Sequence, residues 1–255
     1  MKKPYLVPTI LTFILAVMCF VFFDIMHLSI IKDDTIADGL LTSSISRLSA
    51  SLFIGWLFYL YGGKRLMVFT RELFAHLIWA LPCLMVAVIN FPFSALISGG
   101  SYIYRMDLMW LYIIYIISIA LLEELVFRGG LLILVLEKVR FKKFKFLWTT
   151  LITSLVFSLI HLTNLIEGAG LMNTLLQCLY TFLIGAMLAV TMIKLKNIWV
   201  CVLIHAIFDF GGLLIIHLGI GNPWDTLFWI LTITGGVLCA GHIIFTLIRL
   251  DLRNV

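Results

Sequence analysis

The chain has 255 residues, of which 63% are hydrophobic and only 12% are charged. A soluble domain of this length does not need so much apolar surface, and its apolar runs are shorter, so the composition excludes an ordinary soluble protein and indicates a polytopic membrane protein. Lysines and arginines number 18 against 13 aspartates and glutamates. Their positions point to membrane topology rather than to nucleic acid, so we expect the lipid bilayer as a partner and no nucleic acid.

Apolar runs predict eight transmembrane helices and an all-α fold. Lys2 and Lys3 precede the first run as in a signal peptide, but no small-residue cleavage site follows, so we expect this run to span the membrane. Pro82 and Pro92 predict kinks in the third run. The predicted spans cover residues 5–23, about 45–61, 73–97, 108–136, 146 to about 165, 173–193, 198–218 and 227–248.

The distribution of basic residues predicts that both termini lie in the cytosol. With eight alternating spans, the cytosolic segments hold Lys2, Lys3, Lys64, Arg65, Arg71, Lys138, Arg140, Lys142, Lys143, Lys145, Lys194, Lys196, Arg249 and Arg253. The opposite side holds Lys32, Arg47 and Arg105. This asymmetry follows the positive-inside rule. The polar loop after the first span is expected to contain Asp24, Lys32, Asp33, Asp34 and Asp38.

No internal repeat or soluble domain is visible, so residues 1–255 are expected to form a single integral membrane domain. The cysteines are odd in number and show no CxxC spacing, which indicates neither a disulfide framework nor a zinc site. We expect them to act as small buried hydrophobic residues: Cys19, Cys83, Cys178, Cys201 and Cys239.

The fourth apolar run carries charges that a membrane helix rarely tolerates. Glu123, Glu124 and Arg128 lie inside residues 108–136, and a charge there costs about 2.5–3.5 kcal/mol on insertion scales. Such groups usually face a polar cavity and serve a function. The alternative is that they mark the end of a short helix at the interface, but apolar sequence resumes at once with residues 131–136.

Three pairs of residues have a spacing of four, which places both members on one face of a helix. These pairs are Glu124 and Arg128, Phe157 and His161, and His205 and Asp209. Glu123 points about 100° away from Glu124 on the same helix. We therefore expect one carboxylate to pair with Arg128 while its neighbour remains available for chemistry.

Each of these residues also has an ordinary structural interpretation. His161 and His205 can each be a lone histidine bonded to a backbone carbonyl, and Phe157 alone would be core packing. A buried Asp209 has to be paired or protonated. We expect His76 and His242 to be structural. The functional interpretation depends on three separate helices all supplying polar groups.

The three pairs resemble the three motifs of the CPBP family, the intramembrane glutamic proteases related to the type 2 CAAX prenyl protease. This family includes bacteriocin-processing and bacteriocin-immunity (Abi) members. The resemblance covers about residues 118–209, and the motif core is expected within residues 108–218. It implies a prokaryotic cell membrane location and an endopeptidase that acts on a membrane-associated peptide or protein without an obligate metal or other cofactor.

The resemblance also implies a role for each residue. In similar enzymes, the residues corresponding to Glu123 and His161 orient and deprotonate a water molecule. His205 and Asp209 would stabilise the oxyanion, while Glu124 and Arg128 would fix the helix and the local electric field. The eukaryotic relatives carry Asn at the last position. An oxyanion donor has to offer a proton, so we expect Asp209 to orient and charge His205 instead.

Depth in the membrane leaves two possibilities for the fourth helix. The basic residues between the fourth and fifth spans form a predicted cytosolic hairpin: Lys138, Arg140, Lys142, Lys143 and Lys145. At about 1.5 Å per residue, the distance of Glu123 from this hairpin is greater than the distance of His205 from Lys196. The helix either extends beyond the membrane before Lys138, or it breaks at Gly129 and Gly130.

Two other classes of function remain open at this stage. Glu123, Glu124, His161 and His205 are all zinc-ligand types, which allows a zinc hydrolase, although no HExxH motif is present. The other class is a membrane protein without catalytic activity, either a proton-relaying transporter or an immunity factor that binds a peptide toxin. The sequence leaves the substrate and the oligomeric state undetermined.

Overall fold

The computed structural model describes residues 29–60, 62–139, 143–166 and 168–252. Within these ranges, six helical stretches are long and apolar enough to cross a membrane. This confirms the predicted all-α, polytopic membrane fold. The first predicted span, residues 5–23, lies outside the described residues, and the fourth predicted span, residues 108–136, is not among these six stretches. The total of eight therefore stays a prediction.

The elements follow one another with short connections. The helices are α1 (Thr35–Leu60), α2 (Arg71–His76), α3 (Leu81–Ile89), α4 (Phe93–Ile97), α5 (Met109–Glu124), α6 (Leu132–Lys138), α7 (Lys145–Leu159), α8 (Leu171–Leu195), α9 (Ile198–Leu218) and α10 (Thr226–Leu252). Two short strands, β1 (Ser101–Ile103) and β2 (Gly219–Gly221), pair antiparallel with Tyr102 opposite Ile220.

Helix α1 begins ten residues earlier than the apolar pattern predicts. The side chain of Asp34 accepts a hydrogen bond from the backbone N–H of Ala37 at 3.0 Å and so caps the new N-terminus. Two predictions are therefore wrong. Asp38 lies in the first turn of the helix rather than in a loop, and Arg47 lies at the middle of the helix rather than on the outer side.

The third predicted span is broken rather than only kinked. A 3₁₀ turn, Leu77–Ala80, separates α2 from α3, and Pro82 lies in the first turn of α3. Proline has no N–H to donate, which accounts for the interruption of the regular α-helical hydrogen bonds before Pro82. Pro92 lies directly before α4 and ends the continuous helix in the same way.

The fourth predicted span is one continuous helical stretch from Met109 to Lys138. Gly129 and Gly130 do not break it; they lie in a π-helical segment, Leu125–Leu131, that joins α5 to α6. A π segment widens the helix locally and is often found at functional sites. The predicted alternative of a break at Gly129 and Gly130 is therefore wrong, and the extension of this helix beyond the membrane stays a prediction.

The remaining spans agree with the predicted ones to within a few residues. α7 continues through a 3₁₀ segment, Ile160–Leu165, while α8, α9 and α10 match the last three predicted spans. Helices α5 and α9 pack antiparallel, since Tyr112 near the start of α5 contacts Phe210 and Glu124 at its end contacts His205. The main apolar core surrounds these helices and α8.

Candidate active site

A buried ion pair fixes the end of α5 to the π segment. Arg128 Nη1 donates to Glu124 Oε1 at 2.9 Å, and the two side chains are 3% and 0% exposed. Arg128 Nη2 also donates to the backbone carbonyl of Gly185 on α8 at 3.3 Å. Gly185 also permits the close approach of α8 to α7, because a Cβ there would lie 3.1 Å from Ser154 Cα on α7. The pair therefore joins α5 and the π segment to α8.

His205 extends this pair to α9. Its Nδ1 lies 2.8 Å from Glu124 Oε1, and because a carboxylate accepts, the histidine nitrogen carries the donated hydrogen. Glu124 Oε1 thus receives bonds from both Arg128 and His205, whereas Glu124 Oε2 is buried and has no hydrogen-bond partner in the described ranges. Glu124 is enclosed, and its contacts orient the residues around it.

Glu123 is the accessible carboxylate of the adjacent pair. Its side chain is 29% exposed, and its Oε2 lies 3.7 Å from His205 Nε2. The same nitrogen lies 3.4 Å from Asp209 Oδ2, and the side chain of Asp209 is 16% exposed. The outward nitrogen of His205 therefore faces two carboxylates, which favours positive charge on the imidazole ring.

The ring of Phe157 packs against Arg128, His161 and His205. The Arg128 guanidinium lies over the ring at 4.5 Å from its centroid. His161 and His205 pack edge-on against it, with ring centroids at 5.3 and 6.0 Å. Phe157 is buried, so it fixes the relative positions of the arginine and both histidines through packing and a cation–π contact.

His161 lies in the 3₁₀ segment that follows α7. Its Nδ1 contacts the carbonyl of Phe157 at 2.9 Å. Since the carbonyl accepts, Nδ1 carries the hydrogen, and Nε2 of a neutral ring then presents a lone pair. The side chain is half-buried. His161 is therefore bonded to a backbone carbonyl, as expected for a structural histidine. Its second nitrogen, Nε2, is still available to a water molecule or a substrate.

Several residues that hold α9 in place were not singled out in the sequence. Asn90 Nδ2 donates to the carbonyl of Phe208 at 2.7 Å, and Tyr112 Oη donates to the carbonyl of Phe210 at 2.7 Å. Gly211 permits the close approach, because a Cβ there would lie 2.7 Å from Phe91 Cα. The available signals were an asparagine inside an apolar run and a glycine pair, Gly211 and Gly212, that begins two residues after Asp209.

Arg47 is a further intramembrane cation beside the site. It is half-buried at the middle of α1, and its guanidinium lies 5.4 Å from the centroid of the Tyr115 ring. It is also close enough to Asp209 for the two opposite charges to attract.

The two histidines predicted to be structural lie away from this cluster. His76 is exposed and its Nδ1 contacts the carbonyl of Glu72 at 2.7 Å, while His242 Nε2 contacts the carbonyl of Trp79 at 3.2 Å. Within the described ranges, no three His, Cys, Asp or Glu side chains converge as a bound metal requires. The candidate site consists of the motif residues that these contacts bring together: Glu123, Glu124, Arg128, Phe157, His161, His205 and Asp209.

A comparison with protein-family models gives a match over residues 105–211, which contain all three motifs and most of the site's supporting contacts. The matching family is described as "Type II CAAX prenyl endopeptidase Rce1-like". This match confirms the resemblance inferred from the motifs. No curated protein and no solved structure matches the chain.

Proposed function

Because residues 105–211 form an Rce1-like domain of the CPBP family, we propose that this integral, multi-pass membrane protein is an endopeptidase that hydrolyses a membrane-associated peptide or protein. The observation that carries the proposal is the contrast within the carboxylate pair. Glu124 is fully buried between Arg128 and His205, whereas Glu123 is 29% exposed beside them. One carboxylate orders the site and the other is available to react.

In the proposed mechanism, Glu123 and His161 hold a water molecule against the scissile carbonyl carbon. Glu123 takes a proton from this water as its oxygen bonds to the carbon, and the former carbonyl oxygen becomes an oxyanion. Glu123 then gives the proton to the leaving nitrogen as the C–N bond breaks.

His205 is the proposed donor to the oxyanion. Its Nδ1 is held by Glu124, so Nε2 of the protonated ring points to the side where Glu123 and Asp209 lie. A charged donor in a site without bulk water stabilises developing negative charge strongly. Asp209, at 3.4 Å from Nε2, keeps the ring oriented and charged. This role needs no protonated carboxyl group.

The substrate is either a CAAX-type protein terminus or a peptide of the bacteriocin or signal-peptide type, and the expected location is a prokaryotic cell membrane. The test is cleavage of a mixed library of short membrane-anchored peptides by the purified protein, with and without a chelator. Wild type is compared with Glu123→Gln and His161→Ala. Glu137→Gln, a change at an exposed glutamate on α6, is the matched control.

Chelator-insensitive cleavage that is lost in Glu123→Gln and His161→Ala, and kept in Glu137→Gln, is the expected result. Removal of a general base typically costs 10²–10⁴-fold in rate, about the size of effect expected here. Cleavage that the chelator abolishes and zinc restores would assign these residues to a metal site. Absence of cleavage, combined with equal toxin protection by wild type and Glu123→Ala, would favour a peptide-binding immunity protein.

A further inference from the structure

A second polar cavity lies away from the catalytic cluster, at the end of the bundle predicted to be cytosolic. Its volume is about 440 Å³, within the range of roughly 300–1,000 Å³ typical of ligand sites. The loop between α1 and α2 forms one wall, and the connection from α8 to α9 forms another. The lining residues are Arg65, Val68, Thr70, Glu72, Leu73, His76, Ile193, Lys194, Leu195, Lys196 and Leu250.

The lining carries an excess of positive charge. Arg65, Lys194 and Lys196 face a single carboxylate, that of Glu72. Across the described ranges, none of the three cations forms an ion pair with a carboxylate. The cavity therefore has a positive field that an anion would neutralise.

A contact with the Trp79 ring holds one of these cations, Lys194, in place, and the C-terminal end of α8 places a second, Lys196, at the cavity. The ammonium group of Lys194 lies 4.5 Å from the centroid of the Trp79 ring and is half-buried. Lys196 ends α8 with a backbone φ of +52°, a left-handed conformation that usually selects glycine. The chain has a lysine here instead of the preferred glycine, and this lysine adds a positive charge to the lining of the cavity.

The wall formed by the loop is also fixed. Asn197 Nδ2 donates to the carbonyl of Val68 at 3.1 Å, and Trp199 Nε1 donates to the carbonyl of Met67 at 3.0 Å. Thr70 caps α2 by accepting from the backbone N–H of Leu73 at 3.1 Å. The cavity is thus preformed, which lowers the entropic cost of binding.

The cavity lies at the level where membrane spans end. The span Arg71–Ile97 begins at its rim, and the span Leu171–Leu195 ends there. Exposed apolar side chains continue from the rim along the outer surface of the bundle, including Phe69, Phe74 and Ile78, which are 59%, 63% and 68% exposed. A ligand in this place would meet cations at one end and a hydrocarbon-facing surface at the other.

We propose that this cavity binds the phosphate headgroup of an anionic membrane phospholipid, with its acyl chains against the apolar surface beside α2. Free phosphate carries the same anionic group, but it has no apolar part that could contact the adjoining apolar surface. Basic pockets between membrane helices on the cytosolic side are suited to such headgroups. The proposal is independent of the proposed peptidase activity.

The test is the preference of the protein for phosphatidylglycerol over phosphatidylcholine, measured by lipid retention in native mass spectrometry after reconstitution in a mixture of the two. The test variant is the double change Lys194→Gln and Lys196→Gln. The double change Lys194→Arg and Lys196→Arg keeps the charge, and Lys138→Gln with Lys143→Gln removes two basic side chains that do not line the cavity. The melting temperature of each variant, and its sensitivity to added inorganic phosphate, are recorded in parallel.

We expect wild type to retain phosphatidylglycerol preferentially, with a loss of about fivefold in that preference for each cation removed. The arginine variant and the Lys138 and Lys143 variant keep most of the preference. Equal losses in the cavity variant and the Lys138 and Lys143 variant would mean general surface attraction and would overturn the proposal, as would no preference in wild type. Displacement of the lipid by millimolar inorganic phosphate would reassign the cavity to a free phosphate compound.

Discussion

The burial of Glu124 is the residue-scale fact on which the site depends. A carboxylate with no exposed surface is costly unless it is paired and hydrogen-bonded. Arg128 and His205 both donate to the same oxygen, at 2.9 and 2.8 Å. These two hydrogen bonds compensate the buried charge of Glu124, and the bond from His205 joins α9 to α5. The contacts that stabilise Glu124 therefore also set the geometry of the site.

Arg128→Ala is expected to destabilise the protein by about 3–5 kcal/mol, because it leaves the charge of Glu124 buried with one donor fewer. It also removes the cation from the Phe157 ring and the contact with the Gly185 carbonyl. The measurement is equilibrium unfolding in detergent. Arg105→Ala is the control, since Arg105 makes ion pairs at a partly exposed position, and a cost as large as that of Arg128→Ala would contradict the argument.

A second charge cluster lies outside the membrane-spanning segments and responds to pH in a defined direction. Arg105 donates to Asp34 and Asp107, and its guanidinium lowers the pKa of Asp34 from 3.8 to about 2. The pKa of Asp107 is lowered by the same arginine. Because the folded-state pKa is depressed, the stabilisation is present at neutral pH and is lost as the pH falls from about 4 towards 2.

Asp34→Asn is therefore expected to lower the melting temperature at pH 6 and to have a shrinking effect below pH 4. The physical reason is that protonation of Asp34 in the wild type removes the same charge as the substitution does. Melting temperatures of both proteins between pH 6 and 2.5 measure this. Asp33→Asn, at the exposed neighbouring position, is the control, and a difference between Asp34→Asn and wild type that stays constant down to pH 2.5 would refute the coupling.

At the scale of the elements, the close approach of α9 to the turn after α3 places His205 and Asp209. Gly211 is the contact point, where a Cβ would lie 2.7 Å from Phe91 Cα. The backbone of the turn cannot move aside as the end of a long side chain can. In the turn of α9 before Gly211, Asn90 donates a hydrogen bond to the carbonyl of Phe208, and Tyr112 donates one to the carbonyl of Phe210.

Gly211→Ala is expected to destabilise the protein by about 1–3 kcal/mol through overpacking. It is also expected to reduce peptide cleavage, because α9 is pushed away from the turn after α3 and His205 and Asp209 move with it. Thermal unfolding and the cleavage assay measure the two effects. Gly241→Ala on α10 is the matched control. No atom lies within 4 Å of a Cβ at Gly241, so alanine there is expected to leave stability unchanged or raise it by up to about 1 kcal/mol. Equal effects of the two changes would contradict the role of the close approach.

For the whole molecule, the charge asymmetry predicts which ends of the bundle face the cytosol. Lys138 at the end of α6 and Lys194 and Lys196 at the end of α8 lie at one end of the bundle, and the β1–β2 ribbon with the Arg105 cluster lies at the other. The proposed lipid cavity belongs to the basic end. Orientation therefore decides on which side lipid and substrate meet the protein.

Single cysteines at Lys143 and at Ser98, both exposed, test this orientation in a cysteine-free background. We expect a membrane-impermeant thiol reagent to label Ser98→Cys in intact cells and Lys143→Cys only after the membrane is opened, since the positive-inside rule places the basic hairpin in the cytosol. Labelling of both sites after permeabilisation is the control for reactivity. The reverse pattern in intact cells would invert the predicted topology.

The sequence by itself determined the fold class, most of the membrane spans and the set of motif residues that the fold brings together. Apolar length fixes a span because every backbone group in hydrocarbon has to be bonded within the helix. A spacing of four fixes the Glu124–Arg128 pair because the helical period places both on one face. These are local properties of the chain, so composition and period were sufficient.

Only the tertiary structure decided how the motifs meet. The donation of His205 to Glu124 joins residues 81 positions apart, and no local period records such a contact. The same holds for the carbonyl of Gly185 that Arg128 reaches and for the place of Arg47 beside Asp209. Arg47 was misplaced because the capping of α1 by Asp34, rather than hydropathy, sets where that helix begins. Packing between helices selects these contacts, and packing depends on which faces the whole bundle brings together.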